Sequence, residues 1–71
     1  MAEINDLDKR IIQTLAICDL KPSEASRVLY MHRNTVIYHI EKIARVTGLD
    51  PLCFYDMIEL LEVYGKEDTD G

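Results

Sequence analysis

Only two cysteines, Cys18 and Cys53, occur in the 71-residue chain, too few for a disulfide framework. Both lie in apolar stretches, where a free thiol behaves as a small hydrophobe, so they read as core-filling thiols of a reduced, cytoplasmic protein. No apolar run approaches the roughly 18 residues needed to cross a bilayer. No basic flank precedes an apolar stretch of about 7 to 15 residues near the start, the pattern of a secretory leader. Glycine is sparse too, with three residues, and no glycine-rich loop, strand pattern, internal repeat or low-complexity stretch is present. The chain is one small domain with a marginal core, which argues against a large enzymatic pocket and leaves room to gain stability from association. Basic residues are outnumbered by acids, eight to thirteen, for a net charge of -5.

Helical periodicity accounts for most of what remains. Ile4, Leu7, Ile11, Leu15 and Cys18, with Ile12 and Ala16 beside them, recur at three- and four-residue steps and predict a first helix from about Asp6 to Cys18. Asn5 or Asp6 caps it, Asp6 and Asp8 suit its positive end, and Asp6 is one turn from Arg10. Pro22 opens a second helix of about seven residues, with Ala25, Val28 and Leu29 inward. A turn at Tyr30-Met31-His32 leads to a third helix of about fourteen residues, whose inward face is Val36, Ile40, Ile43 and Thr47 and which ends at Gly48. Asp50-Pro51 predicts the start of a fourth, with proline at its first helical position, and Gly65 stops it. The fold class is therefore all-α, a small four-helix domain over 1–65 followed by a polar tail at 66–71.

The middle pair carries the functional signal. A small residue in helix two, a short turn with Met31 facing inward, and a polar opening to helix three describe a helix-turn-helix. Ala25 lets the helices approach, and Val28, Leu29, Met31, Val36 and Ile40 fix their crossing. The protruding end reads His32-Arg33-Asn34-Thr35, then Val36-Ile37-Tyr38-His39. Arg33 has the planar fork that pairs with guanine, Asn34 suits adenine, and Thr35 can bond a phosphate oxygen. Tyr38 has two readings, a contact with the DNA backbone or packing against helix two. His32, Arg33, Asn34, Thr35, Ile37 and Tyr38, with Arg27 and Lys42, form the expected DNA-binding set.

Charge is distributed to match. Residues 1–20 carry -2, residues 21–47 carry +3 and residues 48–71 carry -6, so the proposed helix-turn-helix is the only net-positive segment. Its cations are Lys21, Arg27, Arg33, Lys42 and Arg45, few enough that one copy should bind DNA weakly and with strong salt dependence. Two copies on adjacent turns of the major groove would compensate. No metal or cofactor is expected: His32 and His39 lie seven residues apart, about 10.5 Å along a helix. Asp56, Glu59 and Glu62 read as a solvated helix face, not as catalytic carboxylates. The surplus of apolar residues on helices one and four, Phe54, Leu60, Val63 and Tyr64 among them, reads as core or as dimer interface, and part of it is assigned to a homodimer through those helices.

From about Leu7 to Leu61 the chain resembles the C-terminal helix-turn-helix domain of PucR-type and CdaR-type bacterial transcriptional regulators. The resemblance rests on His32-Arg33-Asn34-Thr35-Val36-Ile37-Tyr38-His39-Ile40 within the run from Ser23, and on Thr47-Gly48-Leu49-Asp50-Pro51 after it. Similar openings of the recognition helix occur in the Fis-like group. The resemblance implies an all-helical domain, double-stranded DNA bound through helix three, control of transcription, and in most relatives a larger sensory region upstream. Ile37 and His39 depart from it, since relatives usually carry arginine at both places. That leaves fewer cations for the groove, with Ile37 suited to a thymine methyl or to a partner surface. The competing reading is a protein-interaction or dimerisation module derived from a DNA-binding fold.

Overall fold

The computed structural model describes residues 3–65. Four helices follow in order, α1 (Asp6–Ile17), α2 (Pro22–Leu29), α3 (Arg33–Thr47) and α4 (Phe54–Tyr64), with no strand among the described residues. The expected tail at 66–71 lies outside them.

α1 is the hub. It packs against α2, α3 and α4, α2 and α3 lean on each other, and the backbone of α4 runs close to that of α1 alone among the helices. A capping box starts α1: the Asn5 side chain accepts from the Asp8 amide at 2.8 Å, and the Asp8 carboxylate accepts from the Asn5 amide at 3.1 Å. Its inward face is Asp8, Ile11, Ile12 and Leu15, all fully buried. Leu7, expected on that stripe, is exposed, because the face that meets α3 runs one residue further along. Ile11, Ile12 and Leu15 meet Ala25, Val36, Ile40, Ile43, Met57 and Leu60 in a single core. Burying each large side chain there stabilises the fold by about 1.5 to 3 kcal/mol.

Backbone in left-handed space makes both connections around α2. Asp19 and Leu20 adopt φ of 57° and 60° between α1 and α2, and Tyr30 ends α2 at φ 56°. The turn of α2 is closed by Tyr30 N–H donating to the Arg27 carbonyl at 3.3 Å and Met31 N–H to the Ser26 carbonyl at 3.0 Å. Glycine is the usual residue at such a place, yet a tyrosine stands here with its side chain 96% exposed. α2 buries Ala25 and Ser26 and half-buries Leu29, which corrects the expectation for Val28, a residue 53% exposed. The Ser26 hydroxyl tolerates burial by donating to the Ser23 carbonyl at 2.7 Å. Leu29 and Met31 pack on the core as expected.

At the far end of α3, Thr47 donates to the Ile43 carbonyl at 2.7 Å and accepts from the Leu49 amide at 3.0 Å, while Gly48 takes φ 78°. Asp50-Pro51 does not open α4 directly. It forms a separate turn in which Asp50 accepts from the Leu52 amide through Oδ1 and from the Cys53 amide through its carbonyl, each at 2.9 Å. Pro51 is buried there, and α4 starts three residues later at Phe54. Cys18 and Cys53 are free and only half-buried, at the cap positions of α1 and α4, so neither is the core filler expected. Gln13 fastens α4 to α1 by donating to the Gly65 carbonyl at 3.1 Å.

Nothing lies within 4 Å of a Cβ built on Gly48, so only its φ resists substitution. Gly48→Ala should cost about 1 kcal/mol and lower the melting temperature by about 4 to 8 °C, whereas Tyr30→Gly should not destabilise. Thermal melts of the two variants check this.

Candidate nucleic-acid interface

The opening of α3 is built by His32. Its extended backbone (φ -65°, ψ 142°) precedes the helix, and its Nδ1 accepts from the Asn34 amide at 3.0 Å. In the neutral ring this fixes the tautomer, because an accepting Nδ1 puts the hydrogen on Nε2 and leaves that nitrogen free to donate. The His32 carbonyl accepts from the amides of Thr35 and Val36 at 3.0 and 3.2 Å. His32, Arg33, Asn34 and Thr35 are all exposed, side by side on one helical turn.

Electrostatics at this turn differ from those of the other helices. α1 begins with Asp6 and Asp8, α2 with Glu24 and α4 with Asp56, each an acid set against the positive end of its helix. α3 has no acid in its first turn. Its positive end, with Arg33 at the first helical position, is therefore open to an anion from outside.

Further along α3, Tyr38 is 58% exposed, its ring edge-on to that of His39 at a centroid separation of 5.3 Å. Helical spacing puts Asn34, Tyr38 and Arg45 in one outward row, with Glu41 between the last two. Arg45 was visible in the sequence as a cation of the segment, and its place three turns from Asn34 was the signal that it shares this face. Ile37 is half-buried against the core, which limits what it can offer outward. Arg27 lies on exposed α2 surface and bonds Glu24 at 3.1 Å, a surface pair that salt readily screens.

Lys42 sits differently from the expectation. Its ammonium is 2.6 Å from Asp8 Oδ2, and its side chain is 14% exposed. His39 Nδ1 lies 2.8 Å from Asp8 Oδ1 and donates to it, with the ring equally enclosed. Asp8 is fully buried and takes hydrogen bonds from Lys42, His39 and the Asn5 amide. Burial by itself pushes this carboxyl up, but the Lys42 bond, the Asn5 amide and the His39 ring outweigh it and hold the pKa below its ordinary 3.8. Sequence reading assigned Asp8 only to the helix end. The clue was that it occupies the step before Ile11, Ile12 and Leu15 on the buried face.

A largely apolar groove of about 440 Å³ runs between the end of α1 and α4, lined by Ala16, Asp19, Leu20, Phe54, Met57, Ile58 and Leu61. Ile17, Tyr55 and Val63 are exposed in the same two helices. No group of three or more His, Cys, Asp or Glu that could hold a metal occurs among the described residues. No helix there is long and apolar enough to cross a membrane.

A short helix, a three-residue turn and a longer helix whose first turn stands free over a packed hub are the parts of a helix-turn-helix DNA-binding domain. Residues 9–64 match the family model for the PucR C-terminal helix-turn-helix domain, and the chain belongs to that family. Membership implies DNA binding in transcription regulation, and the family is not an enzymatic one. No curated protein and no solved structure matches the chain.

Because the Asp8 pKa is depressed in the fold, its ionised form stabilises the protein above the unfolded value, and that contribution disappears as pH falls through the folded value. The gap in melting temperature between the wild type and Asp8→Asn should be full at about pH 7 and shrink as pH drops below about 4. A gap that stays constant with pH would contradict an ionised carboxylate at this position. Separately, His32→Ala should cost about 0.5 to 1 kcal/mol of stability through the lost cap, and His32→Ser should recover most of it.

Proposed function

We propose that the chain controls transcription in a bacterial cytoplasm by reading a specific site in the major groove with the first turns of α3. The observation that carries this reading is the acid-free, positively polarised opening of α3, where His32, Arg33, Asn34 and Thr35 are exposed together. Arg33 contributes base readout through its planar fork, and Asn34 a second base contact. Thr35 and the Nε2–H of His32 donate to phosphate oxygens. Tyr38 continues the contact along the backbone, and Arg45 extends it at the far end of the same row. Arg27 is available from α2 once its exposed partner Glu24 is exchanged for phosphate, and Ile37 adds at most an apolar edge. Lys42 enters only through its pairing with Asp8.

Pairing of two copies completes the reading. The exposed apolar residues Ile17, Phe54, Tyr55, Ile58 and Val63 and the groove beside them favour a homodimer through α1 and α4. α4 carries Asp56, Glu59 and Glu62 and no base, so this face is unsuited to phosphate but compatible with a partner copy. Salt should help that pairing by screening the acids while it weakens DNA binding. Sedimentation at micromolar concentration checks the dimer, and a monomer at every salt concentration would exclude it.

Titration of a labelled duplex between about 50 and 200 mM salt tests the DNA reading, with steep loss of affinity expected. Once a preferred site is in hand, Arg33→Ala should cost about 1 to 3 kcal/mol there and relax one base position. Equal weakening on all sequences would make Arg33 a phosphate anchor. No binding at low salt would favour a protein-interaction module instead.

A further inference from the structure

Lys42 and His39 stand on the recognition helix itself, yet both are turned to the same buried carboxylate on another helix. The arrangement is tight: 2.6 Å from Lys42 Nζ to Asp8 Oδ2 and 2.8 Å from His39 Nδ1 to Asp8 Oδ1, with Asp8 at 0% exposure and both partners at 14%. Asp8 is also fixed from its own helix, since Oδ2 accepts from the Asn5 amide and its amide donates to Asn5 Oδ1. A carboxylate held at both ends cannot follow a departing ammonium outward. Moving Lys42 to a phosphate would leave a buried, ionised carboxylate with only its His39 and Asn5 contacts, a costly state in a low-dielectric interior.

Resting on the DNA-binding reading, we propose that Asp8 is a specificity-determining residue: by holding Lys42 and His39 against α1 it keeps both away from the phosphate backbone. The segment 21–47 has five cations, and this pairing removes one of them from the sequence-independent attraction that every phosphate exerts on a base. What remains for the duplex is concentrated at the opening of α3, where Arg33 and Asn34 can discriminate bases. Asp8 thus lowers affinity for arbitrary DNA more than affinity for the right site. It does so from outside the contact surface, as a positioning residue acting through Lys42. A purely structural carboxylate would stabilise the α1–α3 packing without changing how many cations the duplex meets.

The experiment is the salt dependence of binding to a labelled mixed-sequence duplex for the full chain, its Asp8→Asn and Lys42→Gln variants and the double variant, each checked for helical content. Lys42→Gln should leave the slope of log affinity against log salt unchanged, because its ammonium is already withheld. Asp8→Asn should steepen the slope by about 0.9, the increment for one released cation, and bind this duplex more tightly. The double variant should return to the wild-type slope, which ties the gain to Lys42. A slope that falls by about 0.9 in Lys42→Gln, or one unchanged in a folded Asp8→Asn, would overturn the proposal. If the variants do not fold, NMR of the lysine ammonium groups in the wild type decides. The Lys42 signal should keep its shift and slow exchange when duplex is added, and a shift matching those of phosphate-bound lysines would refute the assignment. Wild-type binding is read independently: if the wild type fails to bind but Asp8→Asn binds, sequestration by Asp8 stands and the wild-type DNA reading fails. If neither binds, both are overturned.

Discussion

The buried carboxylate of Asp8 is the constraint around which this domain is arranged. It closes the capping box of α1 by accepting from the Asn5 amide, and it ties α1 to α3 by bonding His39 and Lys42. An ionised group in a core is tolerated only when its lone pairs are filled, and here two side-chain donors of α3 and the Asn5 backbone amide fill them. Breaking such a buried pair typically costs about 3 to 5 kcal/mol, a large share of the stability available to so small a fold. The geometry of α3 against the hub is therefore held by an interaction with direction and charge, in addition to nondirectional packing of Ile11, Ile12, Val36, Ile40 and Ile43.

Function follows from what that clamp leaves free. With its middle fixed to α1, α3 presents its first turn to solvent, and that turn lacks the acid which every other helix carries at its start. The cap that replaces it is an imidazole, which satisfies one backbone amide without adding negative charge. The most acidic helix is α4, which carries Asp56, Glu59 and Glu62 and no base. An acidic chain can thus serve a DNA-binding fold, provided its charge is segregated by segment.

Much of this was legible in the residues. Periodicity located α1, α2 and α3 within a residue or two, and the run His32 to Thr35 marked the exposed turn. Gly48 fitted the left-handed end of α3 because only its type suits that backbone region cheaply. Three features were hidden for physical reasons. Asp8 is charged, and an apolar-stripe reading passes over a buried charge whose partners lie more than thirty residues away. Tyr30 adopts a backbone conformation for which its type gives no warning. Asp50-Pro51 carries a cap-and-proline pattern common to helix starts and to turns, and the Asp50 hydrogen bonds to Leu52 and Cys53 decide for the turn. In α2, Ser26 is buried and Val28 exposed; the Ser26 hydroxyl tolerates this by bonding the Ser23 carbonyl, so hydrophobicity alone ranks the two wrongly.

The central claim, that the free first turn of α3 meets a duplex, is tested most directly by residue-resolved amide NMR during titration with a mixed-sequence duplex at low salt. The account predicts perturbations concentrated at residues 32–35, with smaller ones at Tyr38 and Arg45 and none along α4. Perturbations confined to α1 and α4, or an unchanged spectrum at saturating duplex, would contradict it.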